Sequence, residues 1–219
     1  MTQAPVLSRA QQAVVDHRGS DLQVIACAGS GKTESMARRI AALVGEGVAP
    51  SAIVAFTFTE RAARELRERI TRRVTDELGR EWRNRLSPLF VGTIHSYCLR
   101  LLQTHVSRYD DFDVLDEHRH AAFLSREYHR LGLGTLGRKH WQPVRDFGRT
   151  ADVISNEHIR AEQLGESPLG ACYRAYRDLL ARYRLFTFGQ LVTLAVEALE
   201  DPIVLQKVRS GLAHLLVDE

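Results

Sequence analysis

Two hydrophobic rhythms run along this chain of 219 residues. Short unbroken apolar runs read as buried strands, and between them apolar residues recur every three or four positions, the spacing of one helix face. The first run, Val24–Cys27, is a predicted strand that leads into a glycine turn. Met36, Ile40, Leu43 and Val44 then mark a helix that stops around Gly45 and Gly47. Pro50 breaks the chain, and Ile53–Thr59 reads as a second buried strand. Ala62, Leu66, Ile70 and Val74 give a long helix, braced by Arg61–Glu65 and Glu65–Arg69 pairs one turn apart. A third run, Leu89–Val91, passes through Gly92 into a helix carrying Ile94, Cys98, Leu101 and Leu102. Strand, helix, strand, helix, strand, helix predicts an α/β protein: a parallel sheet covered on both faces, with ligands at the strands' C-terminal ends.

The alternation lapses around Tyr109–Asp116, and the sequence up to Tyr183 is mostly helical, with breaks at Gly132–Gly137, Pro143 and Gly165–Gly170. Gly132–Gly137 matches G-x-G-x-x-G literally, but it follows a helical pattern instead of a strand, so it reads as a loop. His118 and His120, beside Asp116 and Glu117, read as a solvated helix start, not a metal cluster. Helical spacing resumes at Phe188, Leu191, Val192, Ala195 and Leu199, and Leu212–Val217 is an apolar strand ending in the carboxylates Asp218 and Glu219.

Composition narrows the class. With 44% hydrophobic residues the chain can form one large domain or two small ones. No apolar run approaches the ~20 residues of a membrane span, and Met1–Arg9 has no hydrophobic signal core, which predicts a cytoplasmic protein with no membrane partner. Cys27, Cys98 and Cys172 show neither metal spacing nor a disulfide framework. Net charge is only +3, yet of 30 basic residues only Lys32, Lys139 and Lys207 are lysine. Arginine pairs with phosphate through a planar fork and stacks on bases. Between Arg61 and Arg85 nine arginines face five acids, which reads either as a nucleic-acid surface or as a solvated helix face.

Chemistry concentrates in Ala26-Cys27-Ala28-Gly29-Ser30-Gly31-Lys32-Thr33. Glycines without a Cβ let the backbone aim several N–H groups at one anion. The following helix adds its positive end and Lys32 a full charge, while the Thr33 hydroxyl suits a Mg²⁺ bridging the phosphates of ATP. The full P-loop pattern asks for glycine where Ala26 stands. Asp218 and Glu219 have the form of a Walker B strand end, with Asp218 for the metal and Glu219 for the attacking water. Ser8 predicts a helix cap, and the Gln11 amide matches the donor-plus-acceptor edge of adenine.

These pieces, in this order, resemble the N-terminal half of superfamily 1 DNA helicases of the UvrD/Rep/PcrA kind. Leu7-Ser8-x-x-Gln11 resembles the family's adenine-reading motif, and Ala28–Thr33 is its P-loop wording. Phe56-Thr57-Phe58-Thr59-Glu60-Arg61-Ala62-Ala63 resembles its single-strand motif T-F-T-N-K-A-A, with Glu60 in place of Asn. Gly92-Thr93-Ile94-His95-Ser96-Tyr97-Cys98 resembles G-T-F-H-S-F-C, and Leu216–Glu219 the start of D-E-x-Q. Glu34 stands where relatives often carry a basic residue near the nucleotide.

The resemblance implies a RecA-like P-loop NTPase domain at 1–109 and 186–219, interrupted by a mostly α-helical subdomain at 110–185. It implies an ATP-dependent 3′–5′ helicase or translocase with Lys32 and Glu219 as catalytic residues, Gln11 and Ala26–Thr33 at the nucleotide, and Thr33 and Asp218 at Mg²⁺. Thr57, Phe58, Thr59, Arg61, Thr93, His95 and Ser96 would contact single-stranded DNA near a duplex junction, Phe58 by base stacking. A second RecA-like domain would be the partner across the cleft, without which the chain binds but does not unwind. Two other readings stand beside this one: a different P-loop enzyme such as a small kinase, and a truncated nucleotide- or DNA-binding regulator.

Overall fold

The computed structural model describes residues 6–137, 141–157 and 159–218. In chain order these form α1 (Arg9–Asp16), α2 (Lys32–Gly45), β1 (Ile53–Thr57), α3 (Glu60–Leu78), α4 (Trp82–Arg85), β2 (Phe90–Gly92) and α5 (Ile94–His105). There follow β3 (Asp113–Leu115), α6 (Glu117–Arg126), α7 (Trp141–Asn156), α8 (Pro168–Tyr183), β4 (Leu185–Thr187), α9 (Phe188–Leu199), α10 (Pro202–Gly211) and β5 (His214–Asp218). Contacts divide the chain into one unit of residues 1–97 with 206–219 and a second of residues 98–205. Among the described residues no helix is long and apolar enough to cross a membrane.

The first unit is built on β1, the middle strand of a parallel sheet ordered β2-β1-β5. Ile53, Val54 and Ala55 are buried in succession, as a strand covered on both faces requires. On one face Ile53, Ala55 and Val91 pack with Ala37, Ile40, Ala41 and Val44 of α2 and Ala63, Leu66, Ile70 and Val74 of α3. On the other, Phe56, Phe90 and Tyr97 meet edge-to-face, with ring centroids 5.0–6.2 Å apart. Leu215 and Val217 of β5 stay exposed. Register sets Phe56 opposite Gly92 and Thr57 opposite Asp218, so three predicted motifs end side by side at the sheet's C-terminal edge.

The expected strand at Val24–Cys27 does not form. Residues 21–27 carry no regular secondary structure, and Ile25 is 89% exposed. A cleft of about 1120 Å³ separates Gly19–Ala26 from Leu212–Asp218 of the edge strand. An apolar run specifies a preference for burial, but a strand exists only where a neighbour shares its hydrogen-bond ladder. β5 pairs with β1 on one side and makes no ladder with this run on the other.

The second unit has its own core of Leu115, Phe123, Leu124, Phe147, Tyr176 and Leu180, with a short parallel pair of β3 and β4. Gly132 adopts φ +69° and opens a 3-10 turn at Leu133–Thr135, which places the G-x-G-x-x-G run in a turn within this helical unit. The solvated reading of the histidine pair holds for His118, which is exposed, and fails for His120. His120 is buried, with Nε2 2.7 Å from the Tyr176 hydroxyl, and burial holds its imidazole below the usual histidine range against the opposing charge of Asp152. Among the described residues no group of three or more metal-ligating side chains occurs.

Candidate nucleotide and single-strand site

The phosphate loop closes as a turn, with the Ser30 amide donating to the Cys27 carbonyl at 3.2 Å. Gly29 has φ +78° and Gly31 φ +84°, both in the left-handed region that glycine enters without steric cost. A Cβ on Gly31 would lie 2.6 Å from Gln11 Nε2, so a side chain there would also displace the Gln11 amide. Gly31 caps α2, whose first residues are Lys32 and Thr33. The positive end of the helix and the lysine therefore sit on the same loop. Lys32 Nζ turns back onto the loop, donating to the carbonyls of Ala26 at 2.8 Å and Cys27 at 3.1 Å. Ala26 supplies a backbone acceptor here, which any residue can do.

Thr33 Oγ1 donates to Asp218 Oδ2 at 2.9 Å, joining residues 185 apart in sequence. Two hard oxygen groups meet at a helix N-terminus beside a lysine. That donor set fits Mg²⁺, which binds through one or two protein oxygens, several waters and substrate phosphates. Glu219, the other predicted carboxylate, lies outside the described residues.

Gln11 stands beside the loop with both ends of its amide engaged. Its Oε1 accepts from the Ser8 amide at 2.8 Å, completing a capping box on α1, and its Nε2 donates to the Ser30 carbonyl at 2.7 Å. Here it couples α1 to the loop.

Glu34 departs from the nucleotide side altogether. Only 8% exposed, it accepts from Arg38 Nε at 2.8 Å, pairs with Arg73 at 2.7 Å and lies 3.6 Å from Arg69. It thereby bolts α2 to α3. Burial alone would raise its carboxyl; the Arg38 hydrogen bond and the Arg73 charge outweigh that and hold it below the usual glutamate range. The expected Arg61–Glu65 pair forms at 3.0 Å, while Arg69 turns to Glu34 instead of Glu65. Part of the arginine excess on α3 is thus internal structure. The sequence signal was available, since a carboxylate inside the apolar face of α2 needs a cation.

The predicted single-strand residues divide into outward and inward groups. Phe58 is 91% exposed just past the C-terminal end of β1, and Arg61 on α3 and His95 on α5 are exposed as well. Thr57 is 5% exposed and its hydroxyl donates to the Thr59 carbonyl at 3.1 Å. Thr59 caps α3 by accepting from the Ala62 amide at 3.1 Å. Both threonines shape the turn that projects Phe58, but only Thr57 is turned inward; Thr59 caps α3 from an exposed position. Thr93 Oγ1 accepts from the Ser96 amide at 3.2 Å and donates to Glu60 Oε1 at 3.0 Å. The tie between Thr93 and Glu60 was not foreseen, because those residues are 33 apart in sequence.

A family model described as the UvrD/REP helicase N-terminal domain matches residues 7–219. ATP-dependent DNA helicase UvrD1 of Mycobacterium leprae (strain TN) is 31% identical, over 97% of this chain and 28% of its own length. DNA helicase II of Escherichia coli (strain K12) is 32% identical over 97% and 29%. ATP-dependent DNA helicase PcrA of Leuconostoc citreum is 27% identical over 97% and 29%. The chain spans less than a third of the length of these relatives. With its phosphate loop, its Thr33–Asp218 contact and a match over residues 7–219, the chain belongs to the UvrD/REP helicase N-terminal domain family.

Proposed function

We propose that this chain is the ATP- and single-stranded-DNA-binding portion of an ATP-dependent 3′–5′ DNA helicase or translocase. The observation that carries the reading is the 2.9 Å contact between Thr33 and Asp218 beside the phosphate loop. Lys32 and the loop amides hold the β- and γ-phosphates, and Gln11, tied to Ser8 and Ser30, reads the adenine edge with its second N–H and second carbonyl lone pair. Thr33 and Asp218 hold Mg²⁺, which neutralises phosphate charge when bound. Glu219 orients the hydrolytic water. We propose 1–109 with 186–219 as the first motor domain and 110–185 as the helical insertion, bounds wider than the contact unit of 1–97 with 206–219.

The test is calorimetric titration with a non-hydrolysable ATP analogue, with and without Mg²⁺. Wild type gains affinity with the metal; Asp218→Asn, which keeps a hydrogen-bond acceptor for Thr33 but loses the charge, loses most of that gain. Equal metal dependence in the two proteins refutes the site.

Phe58 supplies a stacking surface for bases. Stacking is worth ~1–3 kcal/mol per base and tolerates any sequence. Phe58→Ala therefore weakens binding of single strands by roughly 5- to 100-fold, alike for all sequences, by fluorescence anisotropy. A sequence-dependent loss, or none, counts against stacking.

Hydrolysis at a motor rate needs charge stabilisation on the γ-phosphate from several directions, and an arginine finger is worth ~10³–10⁵. The resembled family draws those arginines from a second RecA-like domain. These 219 residues therefore bind ATP and DNA without unwinding. DNA-stimulated turnover by this chain alone, abolished by Glu219→Gln, would overturn that expectation.

A further inference from the structure

We propose that Glu60 is a built-in competitor for the DNA backbone, holding the Thr93 hydroxyl in the free protein and thereby setting the affinity and salt dependence of single-strand binding. The inference rests on the single-strand reading above and deepens it.

Thr93 immediately precedes α5, and Glu60 is the first residue of α3. Both follow the C-terminal ends of neighbouring strands, since Phe56 of β1 is opposite Gly92 of β2. A threonine hydroxyl has one proton to give and two lone pairs. The Thr93 oxygen already accepts from the Ser96 amide at 3.2 Å, and Ser96 Oγ donates back to the Thr93 carbonyl at 2.9 Å, which fixes the rotamer. The remaining proton faces two acceptors, Glu60 Oε1 at 3.0 Å and Ser96 Oγ at 3.1 Å. The ionised carboxylate is the stronger of the two. Thr93 is therefore committed to an anionic oxygen.

A carboxylate oxygen and a phosphate oxygen ask the same thing of a hydroxyl. Glu60 is exposed, so its side chain can swing away when a strand arrives. Until it does, a backbone phosphate approaching Thr93 meets a like charge and a hydroxyl already in use. Phe58 stands two residues before Glu60, so a base stacked there brings its backbone close to this carboxylate. Binding then carries an electrostatic penalty at one phosphate that a neutral residue would not impose.

The experiment uses fluorescence anisotropy with a short fluorescein-labelled oligothymidylate, titrated at several salt concentrations. Glu60→Gln retains an acceptor for Thr93 and removes the charge. It binds roughly 3- to 10-fold tighter than wild type at low salt, and its log–log salt slope steepens, because the repulsion it removes is one that salt screens in the wild type. Glu60→Ala gains at least as much. In the Glu60→Gln background Thr93→Val removes much of the gain, because the hydroxyl there no longer has to leave a charged acceptor to meet a phosphate.

Unchanged or weaker binding by Glu60→Gln, or an unchanged slope, overturns the proposal. A loss in Glu60→Ala with none in Glu60→Gln overturns it too, showing that Glu60 merely positions Thr93. Phe58→Ala distinguishes the underlying reading: if it weakens binding while the Glu60 variants do not tighten it, the single-strand site stands and the competitor falls. No binding by any of these proteins refutes both.

Discussion

Lys32→Ala lowers the affinity for Mg-ATP roughly 10- to 100-fold while leaving the melting temperature nearly unchanged. The affinity loss follows from charge. Hydrogen bonds to charged groups contribute ~1.5–3 kcal/mol each, and every 1.4 kcal/mol is a factor of ten. In the free protein the Lys32 ammonium donates, among the described residues, to the neutral carbonyls of Ala26 and Cys27. A polyphosphate offers charged acceptors at the same loop, so exchange of partners favours binding. The stability side follows from exposure. Both of those lysine contacts are solvent-exposed, and removing such contacts changes stability by about 0.5 kcal/mol or less. Calorimetry and a thermal melt on the same preparation check both halves. Equal affinity for wild type and variant removes the loop from the nucleotide site; a large drop in melting temperature shows instead that Lys32 is structural.

Glu34→Ala has the opposite signature, destabilising the first unit by ~3–5 kcal/mol, the cost of leaving a buried ion pair without one partner. Arg38 and Arg73 have side chains only 18% and 11% exposed, so water cannot replace the lost carboxylate fully. Adding Arg73→Leu to Glu34→Ala recovers part of the loss, since it removes one stranded charge. The pH dependence has a definite sign. The folded carboxyl titrates below its unfolded value, despite burial, because Arg38 and Arg73 outweigh desolvation. Its contribution is therefore complete above the unfolded value of ~4.3 and disappears as pH falls through the folded value. Urea melts at neutral and acid pH compare wild type with Glu34→Gln: the difference between them shrinks on acidification. A difference independent of pH contradicts the ion-cluster account.

Much of this protein was legible from periodicity and spacing. The expected strand at Ile53–Thr59 forms over Ile53–Thr57, its last two residues turning out of it as Thr59 caps α3. The face of α3 follows directly from Leu66, Ile70 and Val74 recurring every four positions, all of them fully buried. Local chemistry was equally readable. The left-handed turns at Gly29 and Gly31 and the cap by Ser8 depend on residues within a few positions of one another.

What failed to be legible involved partners distant in sequence. Val24–Cys27 has the composition of a strand, but whether it pairs depends on the edge of β5, and no ladder forms there. His120 looks like any polar residue at a helix start; Tyr176, 56 positions later, makes it a buried hydrogen-bonded group. The arginines of α3 read either as a nucleic-acid surface or as a solvated helix face, yet Arg69 and Arg73 are drawn onto Glu34 of another helix.

By itself the sequence determined the strand–helix order, the phosphate loop and the residues able to carry charge, because propensity and turn geometry act over a few residues. Only the tertiary structure decided which charged groups are free and which are spent: Thr33 meets Asp218, Thr93 is held by Glu60, and Glu34 is locked between helices. Such contacts arise from the register of parallel strands and the packing of helices upon them. A carboxylate or hydroxyl carries no mark in the chain of which partner the fold will bring within 3 Å.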